Sequence, residues 1–567
     1  MNPVSPAIVA QQSVRPLPRW ALLLLCLAYL LPGFVGRSPW KRFDIEAYGF
    51  MLQLARPLAE GPVNWLHPTL LGQSEPSLVL LPTWLGAWAI RLAPEAWAVQ
   101  AARAPFVLML ALTMAATWYA VYALARSRAA QPVAFAFGGE ARPTDYARTL
   151  ADGALLALLA CLGLAQLSHE ITPALSQLCF TALLLLGLAS LPRKRLASAA
   201  AITAGMLGLT LSGAPVLALL LGAGGVGVRL LAPPEPDRRM LNMLELGLLA
   251  LLALLCVTLV GALDLWRWRL VPHAMTDLGK FARLLLWFTW PAGPLALWAL
   301  WRWRGQRGQG WRLPHIGLPL WFALVTVGAT WFTGLSDRAL LSSLPAIAAL
   351  AAFALPTLRR SAGALMDWFT LLFFSVGALV IWTVWLAMET GWPAQPARNV
   401  ARSAPEFVHS FAWPALLIAA AATLAWLGLV RWRTGRHRQP LWKSLVLPAA
   451  GTTLGWLLLM TLWLPLLDHG RSYAPLMAKV QALHPQARCV QSIGLSNAQN
   501  AALMVHGQLQ LRPAGRPSAD CDWLITNNHS VGGLQRRLTD WGWQEVQRLR
   551  RPTDNDETLV IFRPAGP

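Results

Sequence analysis

The sequence has no glycine-rich phosphate cradle of either common type, no paired CxxC, no HExxH, and no GxSxG in a strand-turn-helix setting. Each of those chemistries depends on the geometry its motif provides, so the absences argue against an ATPase, a zinc protease and a serine hydrolase. Charge is scarce as well. Only 13% of the 567 residues are charged, with 26 Asp+Glu against 47 Lys+Arg. A net charge of +21 would suggest nucleic acid in a soluble chain. No basic-aromatic module accompanies it here, so nucleic acid is not an expected partner. Acids within apolar runs are few: Asp152, Glu245 and Asp367 all lie near run ends. That argues against a lipid or solute transporter, which places paired ionisable groups or broken helices at mid-membrane. No repeat of fixed period is present.

What the chain has is apolar length. It is 56% hydrophobic, with a mean hydropathy of +0.46. Apolar runs of about 17–25 residues, each able to cross a hydrocarbon core of about 30 Å, recur from 20–36 to 443–467. In lipid the backbone must satisfy its own polar groups, so these spans are expected to be helices. The expectation is an all-α polytopic membrane protein. The 30 Trp fit it, because many lie at run ends, where amphipathic rings suit the interface.

Basic clusters set the expected topology. Arg193-Lys194-Arg195, Arg238-Arg239, the runs Arg302 to Arg312 and Arg431 to Arg438, and Arg359-Arg360 alternate with less basic loops. Placing all five on the cytoplasmic side puts residues 468–567 outside. The count closes with the N-terminus inside only if one run does not cross. The run 77–93, with Pro82, Trp84, Trp88 and Arg91, reads as an interfacial helix. About thirteen spans result, with the stretch 37–103 as an external loop.

Residues 468–567 read as a separate α/β domain. Strands are expected at 488–493, 508–512, 522–526 and 558–562, and helices at 472–483, 496–505 and 533–541. Outside the membrane, Cys489 and Cys521 suit a disulfide or two buried thiols. The other four cysteines lie in apolar runs.

The chemistry-bearing stretch is Arg37 to Leu78, which carries Asp44 and Glu46 among Arg37, Lys41, Arg42 and Arg56. In an extended stretch, residues two apart point the same way, so both acids could face one pocket; on a helix they diverge. The bland alternative is a solvated loop. In Ser168-His169-Glu170-Ile171-Thr172-Pro173, Glu170 and His169 could join Asp44 in a divalent metal site. The bland alternative there is a helix-helix turn with Thr172 as the cap. Arg267, Arg269, His273, Lys280, Arg283 and Arg338 are the candidate external cations for a phosphate.

The acid pair after the first apolar run, followed by Tyr48, resembles the first external loop of the GT-C glycosyltransferases. These are polyprenyl-phosphate-sugar-dependent membrane enzymes that include protein O-mannosyltransferases and the lipid A aminoarabinose transferase. Leu71 to Leu78 is similar to their Glu-Lys-Pro-Pro-Leu stretch. Gly208 to Pro215 is similar to their Lys-Gly-Pro turn, and Asp337 to Ala346 to an Arg-Tyr-Leu-Leu-Pro helix start. The chain departs from those motifs at Glu75, Ser212, Ala214 and Ala339, positions that the resemblance gives to the lipid phosphate.

The resemblance implies inverting transfer of a sugar from a polyprenyl-phosphate donor at the periplasmic face of a bacterial inner membrane. The acceptor would be lipid A, a protein or another glycan. Asp44 would be the base, with Glu46 or Glu170 orienting the donor, alone or through a divalent metal. Arg338, Arg267, Arg269, Lys280 and Arg283 would hold the leaving phosphate. The rival reading is a degenerate, non-enzymatic relative.

Overall fold

In the computed structural model, the residues described are 5–40, 42–56, 64–74, 79–231, 239–266, 271, 277–306, 313–334, 336–434, 440–483, 489–518, 521, 523–551 and 553–565. Arg267, Arg269, His273 and Glu75 lie outside them.

The apolar runs form helices. They are α1 (Arg19–Leu30), α2 (Phe43–Ala55), α3 (Leu81–Leu92), α4 (Ala98–Ala125), α5 (Pro143–Ala160), α6 (Leu164–Leu167) and α7 (Pro173–Ser190). Next come α8 (Arg195–Leu211), α9 (Pro215–Leu231), α10 (Arg239–Ala262), α11 (Asp277–Thr289), α12 (Ala292–Arg302), α13 (Pro314–Phe332) and the short α14 (Asp337–Leu340). They are followed by α15 (Leu344–Ala354), α16 (Arg360–Thr390), α17 (Ala394–Ser403), α18 (Trp413–Thr434), α19 (Lys443–Leu459) and α20 (Leu464–Arg471).

Among the described residues, seven helices are long and apolar enough to cross a membrane, or nine if each of two bent pairs is one span. Three shorter apolar helices, together with α5, would bring the number to the expected thirteen if they also cross. The protein is a multi-pass membrane protein. Helix α3 has 12 residues and reaches roughly 18 Å, short of a bilayer core. The buried helix at the centre is α15, all 11 of whose residues are shielded. A helix that is apolar all round finds no solvent face, so it packs against neighbours on every side.

The C-terminal residues form α21 (Ala474–Leu483), α22 (Asn497–Val505) and α23 (Asn528–Asp540). They pack with β3 (Cys489–Ile493), β4 (Gln510–Pro513), β5 (Leu524–Asn527), β6 (Trp543–Arg551) and β7 (Asp554–Pro564), after a small hairpin of β1 (Thr69–Leu70) and β2 (Gln73–Ser74) earlier in the chain. The five-stranded sheet has the order β4-β3-β5-β7-β6. Strand β3 is parallel to β4 and β5, and β7 is antiparallel to β5 and β6.

This domain is seated on the membrane part. Arg551, 2% exposed, donates to Glu557 at 2.6 Å and to the Gly470 carbonyl at 2.8 Å, and Tyr473 donates to the same Glu557. Helix α22 lies against α2 so closely that a Cβ on Gly49 would meet that of Ala501 at 2.5 Å. Only glycine permits that approach.

Cys489 and Cys521 are joined by a disulfide across a separation of 32 residues. Closing a loop of that length restricts the unfolded chain, which is worth about 3–4 kcal/mol. Cys521→Ser in reducing buffer should therefore raise amide exchange in β3 and β5 by about two orders of magnitude. Unchanged exchange would show that the sheet does not depend on the bond.

Candidate active site

Asp44 lies in the first turn of α2, where a carboxylate is favoured by the helix dipole. Of the two arrangements the sequence left open, the stretch takes the helical one, and the two acids diverge. Asp44 turns inward and Glu46 turns toward the C-terminal domain.

Asp44 is 1% exposed. Its Oδ2 accepts from the Trp40 N–H at 3.0 Å and pairs with Arg37 Nη2 at 3.0 Å; its Oδ1 accepts from the Ile171 N–H at 2.9 Å. Arg37 also donates to the Gly33 carbonyl at 2.8 Å and the His169 carbonyl at 2.7 Å. This ties the loop before α2 to the loop before α7. Gly33 sits at φ +92°, and a Cβ there would strike the Trp456 ring at 2.4 Å. The residue presenting its carbonyl to Arg37 is thus held to glycine.

Glu170 lies beside this pair. Arg338 Nε and Nη2 donate to its Oε2 at 3.0 and 2.7 Å, and Gln166 reaches its Oε1 at 3.4 Å. The Arg338 side chain is 23% exposed and that of Glu170 4%. The guanidinium rests on the Phe43 ring, 4.2 Å from its centroid. Burial raises the proton affinity of Glu170, the Arg338 charge opposes it, and the nearby Asp44 charge adds to it.

Sequence reasoning missed three further members. Asp468 accepts from the Ser38 N–H and from Trp40 Nε1 at 2.7 Å. Arg471 donates to Gln166 at 2.7 Å and covers Trp40. Arg103, 3% exposed at the start of α4, donates to the Phe34 carbonyl. Its Nε and Nη2 are buried without a partner among the described residues. Asp337, 3.7 Å from Arg338 Nη1, belongs to the same set, so four guanidiniums (Arg37, Arg103, Arg338, Arg471) stand with four carboxylates (Asp44, Glu170, Asp468, Asp337).

The metal set expected on Asp44, His169 and Glu170 is not assembled. His169 is fully buried, and its ring nitrogens face the Tyr29 carbonyl at 3.0 Å and the Ala165 carbonyl. Its ring packs on Trp456 and Phe34. Among the described residues, no three His, Cys, Asp or Glu side chains lie where they could share a metal. These residues therefore do not fit a resident cation. Thr172 does stand at the N-cap of α7, yet its hydroxyl makes no capping bond.

Glu46 is half-buried and accepts from Asn497 Nδ2 at 3.1 Å. Burial holds its carboxyl above the ordinary range, with Asn497 pulling back. Lys280 pairs with Asp277 at the surface, and Arg283 is exposed. Neither joins the cluster, although their helix α11 packs on α14, which carries Arg338.

The architecture now has a counterpart. The crystal structure of ArnT from Cupriavidus metallidurans bound to undecaprenyl phosphate superposes with a TM-score of 0.60 at 13% identity, covering 96% of this chain and 97% of that one. The fold is that of ArnT. The apo ArnT structure from the same organism matches with a TM-score of 0.59 at 14% identity, over 97% and 99% of the two chains. No protein-family model and no curated protein matches the sequence. ArnT is a GT-C enzyme, so its fold is the one that the resemblance in the first external loop implied. The superposition extends through the C-terminal domain, since nearly the whole of both chains is covered.

Proposed function

We propose that the protein moves a sugar from a polyprenyl-phosphate carrier to an acceptor at the outer face of a bacterial inner membrane. Its N-terminus would be cytoplasmic and its C-terminal domain periplasmic. The observation that carries this reading is the polar cluster, where buried carboxylates lie among guanidiniums and the Arg103 Nε and Nη2 groups are buried without a partner among the described residues. Buried charge is costly unless it is compensated, and an arriving phosphate would compensate it.

An apolar groove of about 660 Å³ lies between α16 and α19, and its lining includes Ala165 and Trp456. Trp456 touches His169, and the Ala165 carbonyl faces it. An isoprenoid chain in this groove would bring its phosphate to the arginines.

In the proposed reaction, the acceptor oxygen attacks the anomeric carbon and the carbon–oxygen bond to the phosphate breaks. The acceptor proton passes to a carboxylate, and the polyprenyl phosphate leaves with its negative charge. Arg338 faces that developing charge, where fixed cations lower the barrier most. Asp44 is the proposed base, held in place by Arg37 and two backbone N–H groups. Closed hydrogen bonds in a resting enzyme do not exclude such a role, because catalytic contacts form in the substrate complex.

Glu46 is the second candidate base. It is the more exposed carboxylate and, among the described residues, accepts from Asn497 alone. The test is transfer by the purified protein in proteoliposomes supplied with polyprenyl-phosphate sugars, measured against pH. If Glu46 is the base, the rate falls on acidification through a pKa above the ordinary glutamate value of about 4.3, and Glu46→Gln removes that limb. No transfer with any donor would leave the degenerate-relative reading standing.

A further inference from the structure

The C-terminal domain holds a second cavity, of about 270 Å³, apart from the polar cluster. It opens past the carboxyl ends of β3 and β4, at Gly494 and Ala514. This is where the parallel strands of an α/β sheet leave a crevice for ligands. The β1–β2 hairpin supplies another wall through Gln73, and α23 supplies Arg537 and Trp541.

One of its polar groups is buried without a partner among the described residues. Asn500 lines the cavity and is 2% exposed, and its Oδ1 has no partner among the described residues. A buried carboxamide oxygen left without a donor is uncommon and needs an explanation. Ser492, 8% exposed, adds a hydroxyl to the wall. The Arg537 guanidinium lies 4.3 Å from the centroid of the Trp541 ring.

We propose that this cavity binds a sugar ring. A pyranose or furanose offers hydroxyls on its rim and a C–H surface on its face. Trp541, which carries the Arg537 guanidinium over its ring, supplies the remaining apolar ring surface, and Asn500, Gln73, Ser492 and Arg537 supply the acceptors and donors. The volume falls below the roughly 300–1,000 Å³ of drug-sized sites, which suits one sugar residue.

A phosphate is the poorer match. Among the described residues, Arg537 is the one cation lining the cavity, and the start of α22 is already closed by the reciprocal Ser496–Gln499 capping bonds. Among the described residues, the walls offer a metal cation no carboxylate. Asn497, one turn before Asn500 on α22, donates to Glu46. The cavity therefore adjoins the acid-bearing helix. If the transferase reading holds, its sugar belongs to the acceptor.

The test uses the full chain in nanodiscs and saturation-transfer NMR with methyl glucoside, methyl galactoside and N-acetylglucosamine. At least one should show ring-proton saturation that falls about tenfold in Trp541→Ala, the loss typical of an aromatic anchor. Arg537 is exposed, so Arg537→Gln leaves the core intact and should weaken the same signal. No saturation with any of the three sugars overturns the proposal, as does equal saturation in both variants. Binding of inorganic phosphate instead, lost in Arg537→Gln, would make the cavity an anion site and also overturns it. Sugar saturation in a protein that transfers nothing would refute the transferase reading alone.

Discussion

Asp44→Asn is expected to cut sugar transfer by about 10²–10⁴-fold, the range for a lost general base, and adding Arg37→Gln should not restore it. The pair is needed because Asp44 has two duties. Its ion pair with Arg37 is closed at 3.0 Å, with both side chains 1% exposed. Removing one partner of such a pair leaves an uncompensated buried charge and costs about 3–5 kcal/mol. Asp44→Asn alone would therefore slow transfer even if the carboxylate only organised the loop. With Arg37→Gln added, no charge is stranded, and most of the stability should return. The Gly33 and His169 carbonyls that Arg37 now serves can still receive an amide N–H. Transfer should stay low in the double variant if Asp44 takes the proton. Thermal midpoints and initial rates of both singles and the double close the cycle. Transfer within a few-fold of wild type in the double variant would reduce Asp44 to a positioning residue and leave Glu46 as the base.

The apolar runs made the membrane part legible, because a bilayer imposes a minimum length and a helical backbone on anything that crosses it. The parallel strands of the C-terminal domain were legible as short runs bounded by polar segments: Cys489–Ile493 starts and ends on apolar residues, and its first four residues are buried although Gln491 and Ser492 are polar. Strand β6 was not. Its sequence WQEVQRLRR buries Trp543, Leu549 and Arg551 and exposes the five residues from Gln544 to Arg548, so no alternation marks it.

At the site, the acids of the first loop stood out because they were isolated among arginines. Their helix did not, although two acids in a first turn are a start signal that Pro39 and Arg42 obscured. Arg42 enters that helix at φ +66°, a strained backbone that no sequence pattern announces. Arg103 reads as one more base flanking an apolar run. Asp468 and Arg471 read as the beginning of the soluble domain. Their place depends on contacts such as Ser38–Asp468, 430 residues apart. Such contacts come from packing, which a local pattern does not encode.

Glu170→Gln is expected to lower the KM for the polyprenyl-phosphate donor by about 10–100-fold while changing kcat far less. Arg338 Nε and Nη2 are both spent on one oxygen of Glu170, while Nη1 lies 3.7 Å from Asp337. A phosphate oxygen presents the same acceptor to the same planar fork. The donor must therefore displace a charge-assisted bond worth about 1.5–3 kcal/mol, and each 1.4 kcal/mol is a factor of ten in affinity. With glutamine at 170 the arginine is released at less cost.

The exchange also carries a proton. Burial already raises the Glu170 pKa, and Arg338 is the main influence lowering it. Once Arg338 turns to the phosphate, the carboxyl binds a proton more readily. Donor binding should therefore take up a proton and tighten as pH falls, and this dependence should disappear in Glu170→Gln. Arg338→Ala should do the opposite, raising the donor KM and cutting kcat by about 10²–10³-fold, as for a lost cation facing a leaving phosphate. If Glu170→Gln instead drops kcat by a hundredfold with no gain in donor affinity, Glu170 is itself the proton acceptor, and the Arg338 pair is its support rather than a gate for the donor.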